Sequence, residues 1–167
     1  ALAVAELQAG GWLGLIHKDG IRGTSNVGVV QGGAATNVIT DRVDVRAECR
    51  SHDPKFRKQI LDMYRDAFER AVKSVTSIEG KIGGMKFTSR MDYDSFALGD
   101  DEPCVLEAER AAKECGLSPI RAISNGGLDA NWLSARGIPT VTLGCGQSDV
   151  HTVRERLDIK AFELSLI

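Results

Sequence analysis

The chain has 167 residues, 43% of them apolar and 26% charged, which is about one globular domain's worth of material. Its 21 basic and 23 acidic residues leave a net charge of −2, so there is no electrostatic case for nucleic acid or an anionic membrane. No apolar run approaches the ~20 residues that span a bilayer. Cys49, Cys104, Cys115 and Cys145 form no Cys-x-x-Cys pair and read as small hydrophobes of a reducing compartment.

In chain order, Leu2, Val4, Ala5 and Leu7 mark the tail of an amphipathic helix that breaks at Gly10-Gly11. Residues 23–31 and 37–50 read as two strands joined by a turn around Gly32-Gly33-Ala34-Ala35. The second alternates cleanly: Val43, Val45, Ala47 and Cys49 share one face, and Asp44, Arg46, Glu48 and Arg50 share the other. Asp53-Pro54 then caps and starts a long helix. Its Phe56, Ile60, Met63, Ala67, Ala71 and Val75 recur at helical spacing and would cover the sheet, while Glu69 and Lys73 pair on the outer face. Residues 84–93 read as one more strand. Helix, strand, strand, helix, strand lacks only a first strand to be a ferredoxin-like βαββαβ sandwich.

Beyond Tyr93 the chain turns acidic, and the domain boundary falls there, giving domains 1–94 and 95–167. Asp94, Asp100, Asp101 and Glu102 lack the alternating ligands and central glycine of a calcium loop and read as a solvated hinge. A helix starts at Asp101-Glu102-Pro103, carries Val105, Ala108, Ala112 and Cys115 on one face, and stops at Gly116. Ser124-Asn125-Gly126-Gly127-Leu128-Asp129-Ala130-Asn131 reads as a glycine turn, with Asp129 capping a helix over 130–136 that ends at Gly137. Residues 138–143 read as a buried strand, and Gly144-Cys145-Gly146 turns the chain out of it. His151 follows near that strand's carboxyl end, where open α/β sheets place their ligands, and is the candidate metal-binding imidazole. His17 reads as a loop residue, and His52 points away from its neighbour Asp53, so neither is a candidate. No Gly-x-Gly-x-x-Gly and no Gly-Lys-Ser/Thr follows a strand, which argues against a phosphorylated ligand.

The series Gly126-Gly127-Leu128-Asp129-Ala130-Asn131, Gly137-Ile138-Pro139-Thr140-Val141 and His151-Thr152-Val153-Arg154-Glu155 resembles the closing part of the di-zinc metallopeptidases. These include peptidase T (tripeptide aminopeptidase), aminoacylase and the glutamate carboxypeptidases, and the peptidase T branch is the most similar. The stretch from Gly23 to Asp41, with Gly32-Gly33-Ala34-Ala35-Thr36-Asn37, resembles the lid core of the same family, and 42–53 resembles its following strand and exit. The resemblance implies an α/β chain: a ferredoxin-like lid and dimerisation domain without its first strand, then the C-terminal α/β portion of a zinc-peptidase catalytic domain. It implies that His151 ligates one of two zincs, with cobalt or manganese as alternatives. It also implies that Asn37 reaches from the lid to a substrate carbonyl or carboxylate, and that Asn125, Gly126 and Gly127 line the pocket.

The family's Glu-Glu general-base pair finds no counterpart in this sequence, and the one His-x-Asp spacing, His17-Lys18-Asp19, falls on the histidine read as a loop residue. The expectation is therefore a portion of a cytoplasmic exopeptidase or amidohydrolase, inactive alone. The complete protein would cut a small peptide or acyl-amino acid with metal-activated water and dimerise through the lid, with no nucleic-acid or membrane partner. Arg50 and Arg90 are further cations that a substrate carboxylate could meet. The alternative is a non-catalytic dimerisation module of the same fold.

Overall fold

The computed structural model describes residues 1–166, arranged as one compact unit over Ala1–Met91 and a second beginning at Asp92. Each is mixed helix and antiparallel strand.

The first unit opens with α1 (Leu2–Ala9), then β1 (Gly14–Lys18), β2 (Ile21–Gly32), β3 (Val43–Arg50) and α2 (Pro54–Lys73). The strands form one antiparallel sheet in the order β1-β2-β3. Asp19 and Gly20, both at positive φ, make the two-residue turn of the β1–β2 hairpin, a geometry that matches strand twist. His17 is therefore an exposed strand residue paired with Arg22, not the loop residue the sequence suggests. Between β2 and β3 the register shifts at Val27/Val29, with Gly28 as the extra residue of a bulge. β3 begins at Val43, later than expected, because residues 33–42 form an exposed loop.

Helix α2 starts where Asp53 and Pro54 place it: the Asp53 carboxylate accepts from the amides of Lys55 at 2.8 Å and Phe56 at 2.9 Å. It buries Phe56, Ile60, Tyr64 and Ala67 against the sheet, together with Ala3, Leu7, Trp12 and Ile16. Met63 and Ala71 flank this core, but Val75 lies past the helix end and is exposed, as is Leu2 of α1. Inside the core the Tyr64 hydroxyl donates to Ser25 Oγ at 3.0 Å, and Ser25 Oγ donates to the Trp12 carbonyl. At the rim, Arg70 Nε of α2 donates to Glu6 of α1 at 2.9 Å.

The expected strand over 84–93 does not form: residues 83–99 carry no regular element. In a βαββαβ sandwich the last strand reaches the hairpin only across the first. No strand precedes α1 among the described residues, so 84–93 has no ladder to join.

The second unit contains α3 (Pro103–Glu114), α4 (Asp129–Ser134), β4 (Gln147–Ser148), β5 (Arg156–Leu157) and α5 (Ile159–Leu164). Helix α3 begins at Pro103 and stops at Cys115 and Gly116. Arg121 bridges it to the preceding loop, donating to Glu109 and to Asp100 at 2.6 Å each, and this holds the Glu109 carboxyl below its usual range. Residues 138–143 are neither strand nor core. Ile138 and Leu143 are exposed, as are Ile120 and Ile123, because no neighbouring strand pairs with either segment among the described residues.

Candidate functional site

His151 stands in the loop of a short hairpin. Gln147–Ser148 pairs antiparallel with Arg156–Leu157, and residues 149–155 close the turn between them. Asp149 and His151 both hold left-handed backbone, at φ 52° and 64°. Local hydrogen bonds fix that shape. Thr152 donates to the Asp149 carbonyl through its amide at 3.2 Å and its hydroxyl at 2.7 Å, the Arg154 amide donates to Thr152 Oγ1 at 3.1 Å, and the Glu155 carboxylate accepts the His151 amide at 2.9 Å. The base of the hairpin is anchored on α5. Gly146 is at φ 84° with its carbonyl accepting from the Asp158 amide, and a Cβ on it would meet Ala161 Cβ at 2.8 Å. The imidazole is exposed at the loop's tip.

The glycine turn lies ahead of α4. Leu128, not Asp129, is the N-cap, and Asp129 is the first helical residue, where its charge suits the helix dipole. The capping is done by Asn131, whose Oδ1 accepts the Leu128 amide at 2.9 Å while its Nδ2 donates to the Asp94 carbonyl at 2.8 Å. Asn131 is buried, so this amide ties the turn to the segment at 93–94. Gly126 donates its amide to Ser124 Oγ at 3.2 Å. Gly127 packs under Tyr93, and a Cβ there would fall onto the Tyr93 hydroxyl. Asn125, Gly126 and Gly127 are all exposed. The brace made by Asn131 and Tyr93 was not legible in the sequence.

Asn37 belongs to the first unit, in the exposed turn of the 33–42 loop, where the Val38 amide donates to the Ala35 carbonyl at 3.3 Å. The loop's far end is held by Arg42, whose Nε and Nη2 donate to the Asp44 carboxylate at 2.9 and 2.7 Å and lower its pKa. Of the two candidate arginines, Arg50 pairs with Glu48 at 2.8 Å on β3, and Arg90 lies in the irregular stretch before the second unit.

Among the described residues no three His, Cys, Asp or Glu side chains converge as a metal site. Around His151, Glu155 commits an oxygen to the His151 amide and Asp149 faces Arg156 at 3.8 Å. Zinc sites need three or four protein ligands. The donors of the described residues do not make such a site by themselves.

The model of Peptidase family M20/M25/M40 matches residues 23–166. The uncharacterized protein YqjE of Bacillus subtilis is 32% identical over 137 residues, covering 82% of this chain and 35% of its own length. Peptidase T of Clostridium perfringens is 39% identical over 59 residues, covering 35% of this chain and 14% of that protein. The crystal structure of a tripeptidase from Staphylococcus aureus superposes with a TM-score of 0.74 at 35% identity, covering 97% of this chain and 41% of that one. Aminopeptidase PepT from Bacillus cereus gives 0.63 at 30% identity, with 98% and 43% covered. The chain spans less than half the length of each of these relatives.

Proposed function

Because the chain belongs to peptidase family M20/M25/M40, we propose that it is the lid and C-terminal catalytic portion of a peptidase T-like exopeptidase or amidohydrolase acting on a small peptide or acyl-amino acid. The observation that carries this reading is the likeness to a tripeptidase over 97% of the chain at 35% identity. The family is generally metal-dependent. In this reading His151 offers one imidazole to a zinc pair, with cobalt or manganese as alternatives, and the remaining ligands and the general base come from residues beyond this chain. The bound metal would supply an activated water.

The residues of this chain then bind and orient. Asn37, on a short exposed loop, can donate its amide to a substrate carbonyl or carboxylate. The turn at Asn125-Gly126-Gly127 presents backbone to the substrate. A cytoplasmic setting suits the four free cysteines, and no helix of the described residues is long and apolar enough to cross a membrane.

The test is His151→Ala in the complete protein, with metal content measured by elemental mass spectrometry alongside tripeptide hydrolysis. We expect loss of one metal equivalent and of most of kcat. Unchanged metal and unchanged turnover would overturn the assignment.

A second reading, a dimerisation module, is favoured by one observation. β3 is a terminal strand of its sheet, with Val43 exposed and an open ladder that a second copy could extend. Sedimentation equilibrium decides this: a monomer at all concentrations would remove it.

A further inference from the structure

The glycine turn has a neighbour whose chemistry the motif does not account for. Tyr93 sits against Gly127 so closely that a Cβ on that residue would overlap the hydroxyl and lie 2.8 Å from Cε1. Its position is fixed from the next residue, because the Asp94 carbonyl accepts from buried Asn131 at 2.8 Å and the same Asn131 accepts the Leu128 amide at 2.9 Å. One side chain therefore holds both the turn and the segment carrying the tyrosine.

The donors at the turn are unevenly committed. The Gly126 amide donates to Ser124 Oγ at 3.2 Å and the Leu128 amide to Asn131, whereas the Gly127 amide and the Tyr93 hydroxyl make no hydrogen bond within the described chain. A phenol O–H and a backbone N–H thus meet at one glycine, on an exposed turn, with their hydrogens available to an oxygen acceptor. Pure packing does not require the hydroxyl, since a phenyl ring would cover Gly127 equally well.

We propose that Tyr93 is a further substrate-contacting residue whose hydroxyl donates to the peptide oxygen received by the Gly126-Gly127 turn. This rests on the reading of the turn as part of the substrate site. The acceptor is a carbonyl or carboxylate oxygen of the peptide, and no proton is transferred. A donor lost from such a bond lowers kcat/KM about tenfold, and more where the oxygen is charged.

The experiment is Tyr93→Phe in the complete protein, assayed on a tripeptide and on its C-terminal amide, with metal content and Tm measured in parallel. Phe keeps the ring over Gly127 and removes only the hydroxyl. The expected result is a fall in kcat/KM of about tenfold or more with metal and Tm unchanged. A fall in kcat on both substrates places the bond on the reacting carbonyl, and a rise in KM confined to the free acid places it on the carboxylate; either supports the proposal. Unchanged kcat/KM overturns it, and so does a fall matched by lost metal or lowered Tm, which would assign the tyrosine to the framework. His151→Ala is run beside it. If that variant keeps metal and activity, the metallopeptidase reading itself fails, whatever Tyr93→Phe does.

Discussion

The hydrogen-bond chain Tyr64–Ser25–Trp12 makes a prediction about the first unit that depends on the direction of two hydroxyl protons. Tyr64 and Ser25 are 5% and 2% exposed, so water does not replace a lost partner. Ser25→Ala removes an acceptor and a donor together and leaves the Tyr64 hydroxyl and the Trp12 carbonyl unpaired. With each buried orphan costing about 1–3 kcal/mol, the variant should lose about 2–4 kcal/mol. Tyr64→Phe leaves Ser25 still donating to Trp12 and should lose about 1 kcal/mol. The double variant has no orphaned phenol, so it should cost less than the sum of the singles by about 1 kcal/mol.

Urea unfolding followed by Trp12 fluorescence reads these differences, since Trp12 lies in the same core while Trp132 is largely exposed. Equal losses in the two single variants, or strict additivity, would refute the wiring described. The pH dependence supplies an independent arm. Burial pushes the Tyr64 phenol above its ordinary value of 10.0, partly offset by the bond to Ser25. A group whose folded pKa is raised contributes stability that is complete below the unfolded value and lost as pH rises through the folded one. Stability should therefore decline above about pH 10, and Tyr64→Phe should decline less. Cys49, also raised by burial, adds its own alkaline loss to both proteins.

Removing the α2 cap with Asp53→Ala frees the amides of Lys55 and Phe56 and should cost about 1 kcal/mol in the same urea experiment; no change would mean that α2 is set by packing alone. In the complete protein, Asn37→Ala should lower kcat/KM and leave metal content intact, and a loss of metal would place Asn37 among the metal ligands instead. The 167-residue chain by itself should hydrolyse no peptide and hold zinc only weakly by calorimetry, because no three metal-ligating side chains converge among the described residues; tight stoichiometric zinc would contradict this.

What the sequence made legible is what local chemistry decides. Asp53-Pro54 and Glu102-Pro103 start helices where they stand, and Gly116 follows the end of one, because caps and fixed φ act within a turn. The β1–β2 hairpin was equally local. Asp19-Gly20 between Lys18 and Ile21 is a strong turn signal, and reading His17 as loop overlooked it. Residues 84–93 and 138–143 have strand-like composition, but a strand exists only when a neighbour satisfies its amides, and that neighbour is not written in the segment itself. The hairpin under His151 escaped for the opposite reason: strands of two residues have no period to detect. Asn131 and Tyr93 owe their importance to contacts with residues 37 and 34 positions away, which spacing along the chain does not encode.

The backbone around His151 is itself an argument for what its side chain does. A non-glycine residue in the left-handed region costs about 1–2 kcal/mol relative to ordinary backbone, and this loop holds two of them within three positions. Asp149 has a local return for that cost, because its carbonyl takes both donors of Thr152. His151 has no comparable one: its amide is bonded to Glu155, which a glycine would accept equally, and its ring is exposed. Glycine at 151 would fit the loop with less strain. Strain of this kind is informative when it is observed first and explained afterwards. His17, in a paired strand, and His52, in the bend before α2, carry no such outlier. The same geometry separates the two ends of the His-Thr-x-x-Glu motif. Glu155 braces the turn through the His151 amide, so a carboxylate four residues downstream serves the backbone while the imidazole stays at the surface.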